Sequence, residues 1–289
     1  MSKRRAFTLI ELLVVIATIA LLLAILMPSL SKARRQSKSV VCQMNLHHWG
    51  YCFTMYANDN DGRFMRGWTD DYSGDWGFGK QWMNQLRKYY SDQMDFALCP
   101  MTRRPDEDSR GLGGTFGAWA NLGAGDGAVM EGDYGSYGIN DWCYNPAIDV
   151  VPYIPEPDYV ERQGTSYPPQ SFYWRGLNVK GANKVPLFFD CIWTDAWPDD
   201  WCPPPTFFDY ADMTDASGQQ MQRVCIKRHD AAINMLFLDN TVRSVGLKEL
   251  WVLNWHKHFD ICNMYTQCGG ATWREWEVWA LWMKNFKDY

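Results

Sequence analysis

Apolar residues first run together along this chain and then spread into patterned segments. Residues 7–27 (FTLIELLVVIATIALLLAILM) are apolar apart from Thr8, Glu11 and Thr18. A helix of that length, at about 1.5 Å per residue, spans roughly 30 Å, the hydrocarbon thickness of a bilayer. The basic hexapeptide 1–6 (MSKRRA) precedes it. A cleaved secretory signal has a shorter apolar region, about 7–15 residues, and rarely holds a carboxylate. A plain membrane anchor fits the length but leaves Glu11 unexplained, because an intramembrane carboxylate is costly and asks for a partner. Good helix formers continue from 29 to about 58, with apolar positions at Leu30, Ala33, Val40, Val41, Met44, Phe53 and Met55. Pro28 either ends this helix or kinks it.

Beyond the stem the period changes. Tyr56-Ala57-Asn58-Asp59-Asn60-Asp61-Gly62 reads as a helix-ending turn, since Asp, Asn and Gly accept the conformations a C-terminus needs. Its likeness to a calcium loop fails at Ala57, which stands where the first ligand belongs. Residues 231–238 (AAINMLFL) and 241–245 (TVRSV), separated by Asp239-Asn240, predict a β-hairpin with a type I′ turn. Residues 185–190 (VPLFFD) and 137–140 are further strand candidates. Gly-rich 111–138 and Pro-rich 152–169 and 198–205 read as surface loops. Trp251, Trp255 and Phe259 recur every fourth residue and Trp273, Trp276, Trp279 and Trp282 every third, predicting C-terminal helices. That strip either packs on the head or stem, or presents aromatic rings to sugars or a partner subunit. The pattern as a whole predicts an α+β protein: a long N-terminal helix, then a head with an antiparallel sheet and C-terminal helices.

Composition narrows the classes. The chain has 289 residues, 47% hydrophobic and 21% charged, with 16 Trp, 15 Tyr and 14 Phe, so it folds rather than remaining disordered. A net charge of −5 argues against nucleic acid as a partner. Residues 1–6 hold 3 basic groups and 7–58 hold 4 basic and 1 acidic, which leaves 21 basic and 32 acidic residues, a formal −11, on 59–289. A basic stem under an acidic head suits stems buried together and heads facing water. Three basic residues before the span and four after it leave the positive-inside rule undecided. Nine cysteines are many for a reducing cytosol. Cys42 and Cys52 lie about 15 Å apart on a helix and cannot bond to each other. His256, His258, Cys262 and Cys268 are enough ligands for zinc, but an oxidising exterior favours a disulfide there, so no metal and no cofactor is expected.

Arg4-Arg5-Ala6-Phe7-Thr8-Leu9-Ile10-Glu11-Leu12-Leu13-Val14-Val15-Ile16 resembles the leader and mature start of type IV pilins and type II secretion pseudopilins. The resemblance implies that a prepilin peptidase cuts between Ala6 and Phe7 and that the new Phe7 amine is methylated. Ala6 departs from the family's usual Gly. It further implies three regions: a leader (1–6), a hydrophobic helix and amphipathic stem kinked at Pro28 (7–58), and an extracytoplasmic head (59–289). Packed in a filament, Glu11 would pair with a neighbour's Phe7 amine and set the axial register, as one buried polar group does in a coiled coil. A second resemblance is carried by Arg228-His229, nine residues, then Asp239, with Cys42-x2-Asn45-Leu46, Cys99-Pro100 and Tyr137-Gly138-x-Asn140. These are similar to a pseudopilin-like group with an H-x9-DG element, except that Asn240 replaces the Gly. His229 is expected to bond across the hairpin base, a structural role. By locality and family pattern Cys42–Cys99, Cys191–Cys202 and Cys262–Cys268 are candidate disulfides, though connectivity stays open.

The function implied is a structural subunit of a type II secretion or type IV pilus-like filament, without catalytic residues. Its partners would be further copies of itself, prepilin peptidase, the assembly machinery and, before assembly, the inner membrane. Its final place would be a periplasmic pseudopilus or a cell-surface filament. Two rivals remain: a membrane-tethered carbohydrate-binding protein, from the Trp content, and a tethered hydrolase, from His229 and the carboxylates.

Overall fold

One helix, α1 (Leu9–Asp59), carries the chain from the apolar run into the head. The computed structural model describes residues 9–67, 82–91, 94–105, 110–111, 113–121, 132–146, 161–162, 165–166, 169–207 and 220–289. The leader, Phe7 and most of 152–169 therefore lie outside the described residues. α1 stays helical through Pro28, and the hydroxyls of Ser29 and Ser31 donate to the Leu26 and Pro28 carbonyls around it (2.8 and 2.9 Å). Thr18 likewise returns its hydroxyl to the Val15 carbonyl (2.9 Å), so this polar side chain costs little in an apolar stretch. None of the apolar window of α1 is buried against the other described residues.

From Cys42 onward the same helix becomes the spine of the head. Cys42, Leu46, Trp49, Phe53 and Tyr56, at alternating steps of four and three, form its buried face. Of the apolar stem positions read from the sequence only Phe53 is on that face; Leu30, Val40, Val41, Met44 and Met55 are exposed. α1 ends where the Gly62 N–H returns to the Ala57 carbonyl (2.8 Å), with Asp61 and Gly62 at positive φ (54° and 75°). The second helix, α2 (Trp82–Tyr90), lies beside it and buries Trp82, Met83, Leu86 and Tyr90.

Ten strands follow among the described residues. β1 (Arg110–Gly111), β2 (Trp119–Asn121) and β3 (Tyr134–Gly135) make a small antiparallel sheet, so the Gly-rich 111–138 segment is not simply loop. β4 (Tyr137–Asn140) belongs to the main sheet, whereas β5 (Glu161–Arg162) and β6 (Thr165–Ser166) pair with each other. The remaining strands are β7 (Pro186–Asp190), β8 (Asp195–Ala196), β9 (Ala232–Phe237) and β10 (Val242–Gly246). The main sheet runs β10-β9-β7-β4-β8, antiparallel except for the parallel β4–β8 pair. Its middle strand β7 is buried at every position, and Pro186 is tolerated there because it opens the strand beside a bulge. α1 crosses β9, β10 and β7, and Trp49 meets Trp82, Phe96 and Phe188 with ring centroids 4.8–5.4 Å apart.

Three local expectations need correction. The hairpin turn is not a two-residue type I′: Asn240 N–H bonds the Phe237 carbonyl (2.9 Å), and Asn240 takes positive φ (66°) while Asp239 does not. The loop is therefore three residues with a single left-handed position, and the Asp239 carboxylate instead accepts from the Thr241 N–H (3.0 Å) and hydroxyl (2.6 Å). Residues 251–259 are not an α-helix; a 3₁₀ turn, Leu247–Val252, leads into irregular chain, and Trp251, Trp255 and Phe259 are buried from there. Pro-rich 198–205 is not a surface loop either. Its carbonyls receive the indole of buried Trp251, on Cys202 (2.9 Å), and that of partly buried Trp282, on Pro205 (2.8 Å).

The last helix, α3 (Trp273–Trp279), is capped by Thr272, whose hydroxyl accepts from the Arg274 N–H (3.3 Å). Trp276 is buried against Trp251, Trp279 and Trp282 are partly covered, and Trp273 stays 54% exposed. The strip is mostly packing, because a seven-residue helix turns only one face to its core.

Candidate functional site

The apolar half of α1 is the first candidate site. Leu9 to Met27 project outward around the helix, with Glu11 exposed in its first described turns. Such a surface is stable only in lipid or against other apolar helices.

The second candidate was not legible as a unit in the sequence. Four distant segments deliver polar groups to one buried point beneath α1. Cys42 comes from α1, Cys99 from the chain after the 3₁₀ turn Met94–Ala97, Asp190 from the last position of β7, and His229 from the turn before β9. Cys42 Sγ lies 3.6 and 3.7 Å from the two Asp190 carboxylate oxygens. His229 Nε2 lies 3.3 Å from Cys99 Sγ and 3.2 Å from Asp190 Oδ2. Cys42, Cys99 and Asp190 have no solvent exposure, and the His229 side chain has 5%.

A closed set of donors surrounds the four. Arg228, itself fully buried, donates to Asp190 Oδ1 (3.0 Å) and to the carbonyls of Gly114, Thr115, Ser136 and Cys191. The Asn234 N–H donates to Asp190 Oδ2 (2.8 Å), and the Asn234 amide also donates to the Ser39 carbonyl of α1 (3.2 Å). The Tyr137 hydroxyl donates to Cys42 Sγ (3.3 Å) and the Met101 N–H to Cys99 Sγ (3.5 Å). A buried guanidinium with every donor matched tolerates burial because no charge is left uncompensated.

Electrostatics follow from that arrangement. Burial works against the charged form of Asp190, but His229 and Arg228 outweigh it and hold the carboxyl at about 2. Burial also opposes the His229 cation, and Asp190 more than reverses this, raising it to about 10. Burial pushes Cys42 well above its ordinary value, with Cys99 and Asp190 adding to the rise. Cys99 is pushed up by burial too, yet hydrogen bonds from Cys42 and His229 and the charge of Arg228 bring it down to about 7. The same pocket thus lowers the Cys99 thiol while raising the Cys42 thiol beside it.

Other expected site residues lie elsewhere. His229 does not bond across the hairpin base: its ring meets Cys99 and Asp190, and its backbone N–H closes a local turn on the Ala232 carbonyl (3.0 Å). Asp239 is its partner in neither sense, since Asp190 takes that place. Cys42 and Cys99 carry free thiols rather than a disulfide. Cys191 and Cys202 are free as well: Cys191 Sγ turns to the Asp195 carbonyl (3.8 Å) at the end of β7, whereas Cys202 lies under Trp251, and burial lifts each thiol to about 12. Cys262 and Cys268 are joined, which removes both sulfurs from the sequence-adjacent zinc set. His256 stands 3.6 Å from Asp199, and His258 bonds Ser171 (3.0 Å). Asp190 was missed although a signal existed: it is the one carboxylate closing the apolar run VPLFFD, and a charge there has to be matched in the core.

Residues 1–27 match the prokaryotic N-terminal methylation motif, which is typical of type IV pilins and pseudopilins, and the long N-terminal apolar helix fits it. No curated protein and no solved structure matches the chain. The chain is thus pilin-like in its N-terminal segment and of the kind processed as a prepilin.

Proposed function

We propose that this protein is a structural subunit of a type II secretion or type IV pilus-like filament. The observation that carries the reading is the methylation motif leading straight into α1, whose first half its own head leaves uncovered. Before assembly that half spans the inner membrane with the head outside the cytoplasm. A prepilin peptidase cuts between Ala6 and Phe7 and methylates the Phe7 amine. In the filament, apolar helices replace lipid around α1, and Glu11 meets a neighbour's Phe7 amine, a pairing that fixes how far one subunit rises above the next. The −11 head faces water, either in the periplasm or at the cell surface.

Two further observations favour a structural role over the rivals. Cys99, His229 and Asp190 have the chemistry of a catalytic group, but Cys99 and Asp190 are fully buried beneath α1 and only 5% of the His229 side chain is exposed. Among the described residues most tryptophans are buried or partly buried, and the two exposed ones, Trp201 and Trp273, form no strip for sugar rings. N-terminal sequencing of mature protein, with electron microscopy of sheared surface and periplasmic material, tests the reading. A chain beginning at N-methylated Phe7 and recovered in filaments is the expected result. An intact Met1 in mature protein would overturn it.

A further inference from the structure

We propose that Cys42, Cys99, Asp190 and His229 form a closed tetrahedral site for one divalent transition ion of the zinc class, pinning the stem helix to the sheet of the head. One ligand atom from each residue lies within 4.8 Å of all the others. Tetrahedral zinc holds sulfur at about 2.3 Å and nitrogen or oxygen at about 2.0–2.2 Å, which implies ligand-to-ligand edges of roughly 3.3–3.8 Å. With Asp190 Oδ2 as its ligand atom the cluster already has separations of 3.7 Å for Cys42–Asp190, 3.3 Å for Cys99–His229 and 3.2 Å for His229–Asp190. The remaining pairs lie within 4.8 Å, so an ion would draw the ligands together by up to about 1 Å.

Charge points the same way. Two thiolates and one carboxylate around a divalent ion sum to −1, and the fully buried Arg228, 3.0 Å from Asp190 Oδ1, supplies the balancing +1. The whole assembly is neutral, the condition for a charged group to be stable without water. The outer contacts are those that orient metal ligands: Arg228 and Asn234 N–H on the carboxylate, Tyr137 O–H on one sulfur and Met101 N–H on the other. Four protein ligands, three of them fully buried, leave no open position, so the site is structural rather than catalytic. On binding, the Cys42 thiol and the His229 imidazolium release their protons to solvent, as does Cys99 wherever it is still a thiol, and no oxidation state changes. The ligands come from residues 42, 99, 190 and 229, so the ion would close three long loops at once.

Metal and a Cys42–Cys99 disulfide exclude each other, and this makes the proposal decidable. The full chain, extracted from membranes in detergent, should carry about one zinc per chain by elemental analysis, retained through gel filtration. Replacing zinc by cobalt(II) in the wild type should give the intense ligand-field bands and thiolate charge-transfer absorption of a tetrahedral sulfur-ligated site. Cys99→Ser and His229→Ala should each lose metal at least tenfold, and Tyr137→Phe, which keeps every ligand, should weaken binding about 10–100-fold. His258→Ala should leave metal content unchanged. If the ligand variants fail to fold, the wild-type cobalt spectrum and Tyr137→Phe still decide the matter. Metal-free wild type with Cys42 linked to Cys99 in the peptide map, or reduced wild type that takes up no cobalt, overturns the proposal.

Discussion

Asp141 is buried at the head of a short 3₁₀ turn, and its Oδ1 finds no hydrogen-bond partner among the described residues. Burial, and then the charge of nearby Asp195, push its carboxyl well above the ordinary range, with Arg223 opposing only in part. Arg223 is instead engaged by Asp195 at 2.6 Å. A carboxyl whose pKa is raised by folding stabilises the native state below its unfolded value, about 3.9, and that stabilisation is lost as pH rises toward the folded value. Asp141→Asn should therefore melt close to wild type at pH 4 and progressively above it as pH rises through neutrality. Paired thermal melts of the full chain measure this, and a difference that does not change with pH would show that Asp141 is not protonated in the core.

The joint between α1 and the β9–β10 hairpin depends on a missing side chain. The Asn240 amide oxygen and a Leu236 methyl lie against Gly50, where a Cβ would collide with the oxygen and crowd the methyl. In an open helix Gly→Ala stabilises by about 0.8–1.0 kcal/mol. Here overpacking should win, and Gly50→Ala should cost about 1–3 kcal/mol. Asn240→Gly keeps the left-handed turn, whose φ of 66° suits Gly, and removes the colliding group. It should be mild alone and should recover part of the Gly50→Ala loss, a coupling read from a double-mutant cycle of denaturation midpoints. Additive effects would refute the close approach.

Stem and head are one folding unit, which changes what a truncation does. Cutting at residue 59 removes Leu46, Trp49, Phe53 and Tyr56 from the core. Truncating one large buried side chain costs about 2–5 kcal/mol, and a whole domain holds only about 5–15. Fragment 60–289 should lack near-ultraviolet dichroism and bind hydrophobic dyes, whereas a fragment beginning near Arg34 should keep native signals. A natively folded 60–289 would contradict the shared core. The outer half of α1 follows a different rule, because its apolar residues are covered only by other molecules. Glu11→Leu raises its hydrophobicity, so membrane extraction should be unchanged while sheared filaments disappear. Normal filaments from that variant would remove the pairing of Glu11 with the Phe7 amine from the account.

Local pattern left open whether Pro28 ends the helix, but it was enough for the apolar span, the turn at Asp61–Gly62, β7 and the hairpin strands. Each depends on residues within a few positions of one another, and the methylation motif is itself a contiguous string. Which face of the stem is buried was decided only by the fold, since Val40, Met44 and Met55 are as apolar as Leu46 and Phe53 but point away from the sheet. The same holds for the cysteines, because locality suggested pairing Cys191 with Cys202 while the fold buries both as free thiols, Cys191 against the Asp195 carbonyl. His229 shows the difference most clearly. Its sequence neighbour in the motif, Asp239, serves a turn, and its chemical neighbours, Cys42, Cys99 and Asp190, arrive from positions up to 187 residues away (229 less 42). Short-range periodicity records backbone geometry, whereas a buried polar cluster exists only after helix and sheet have closed over it and excluded water.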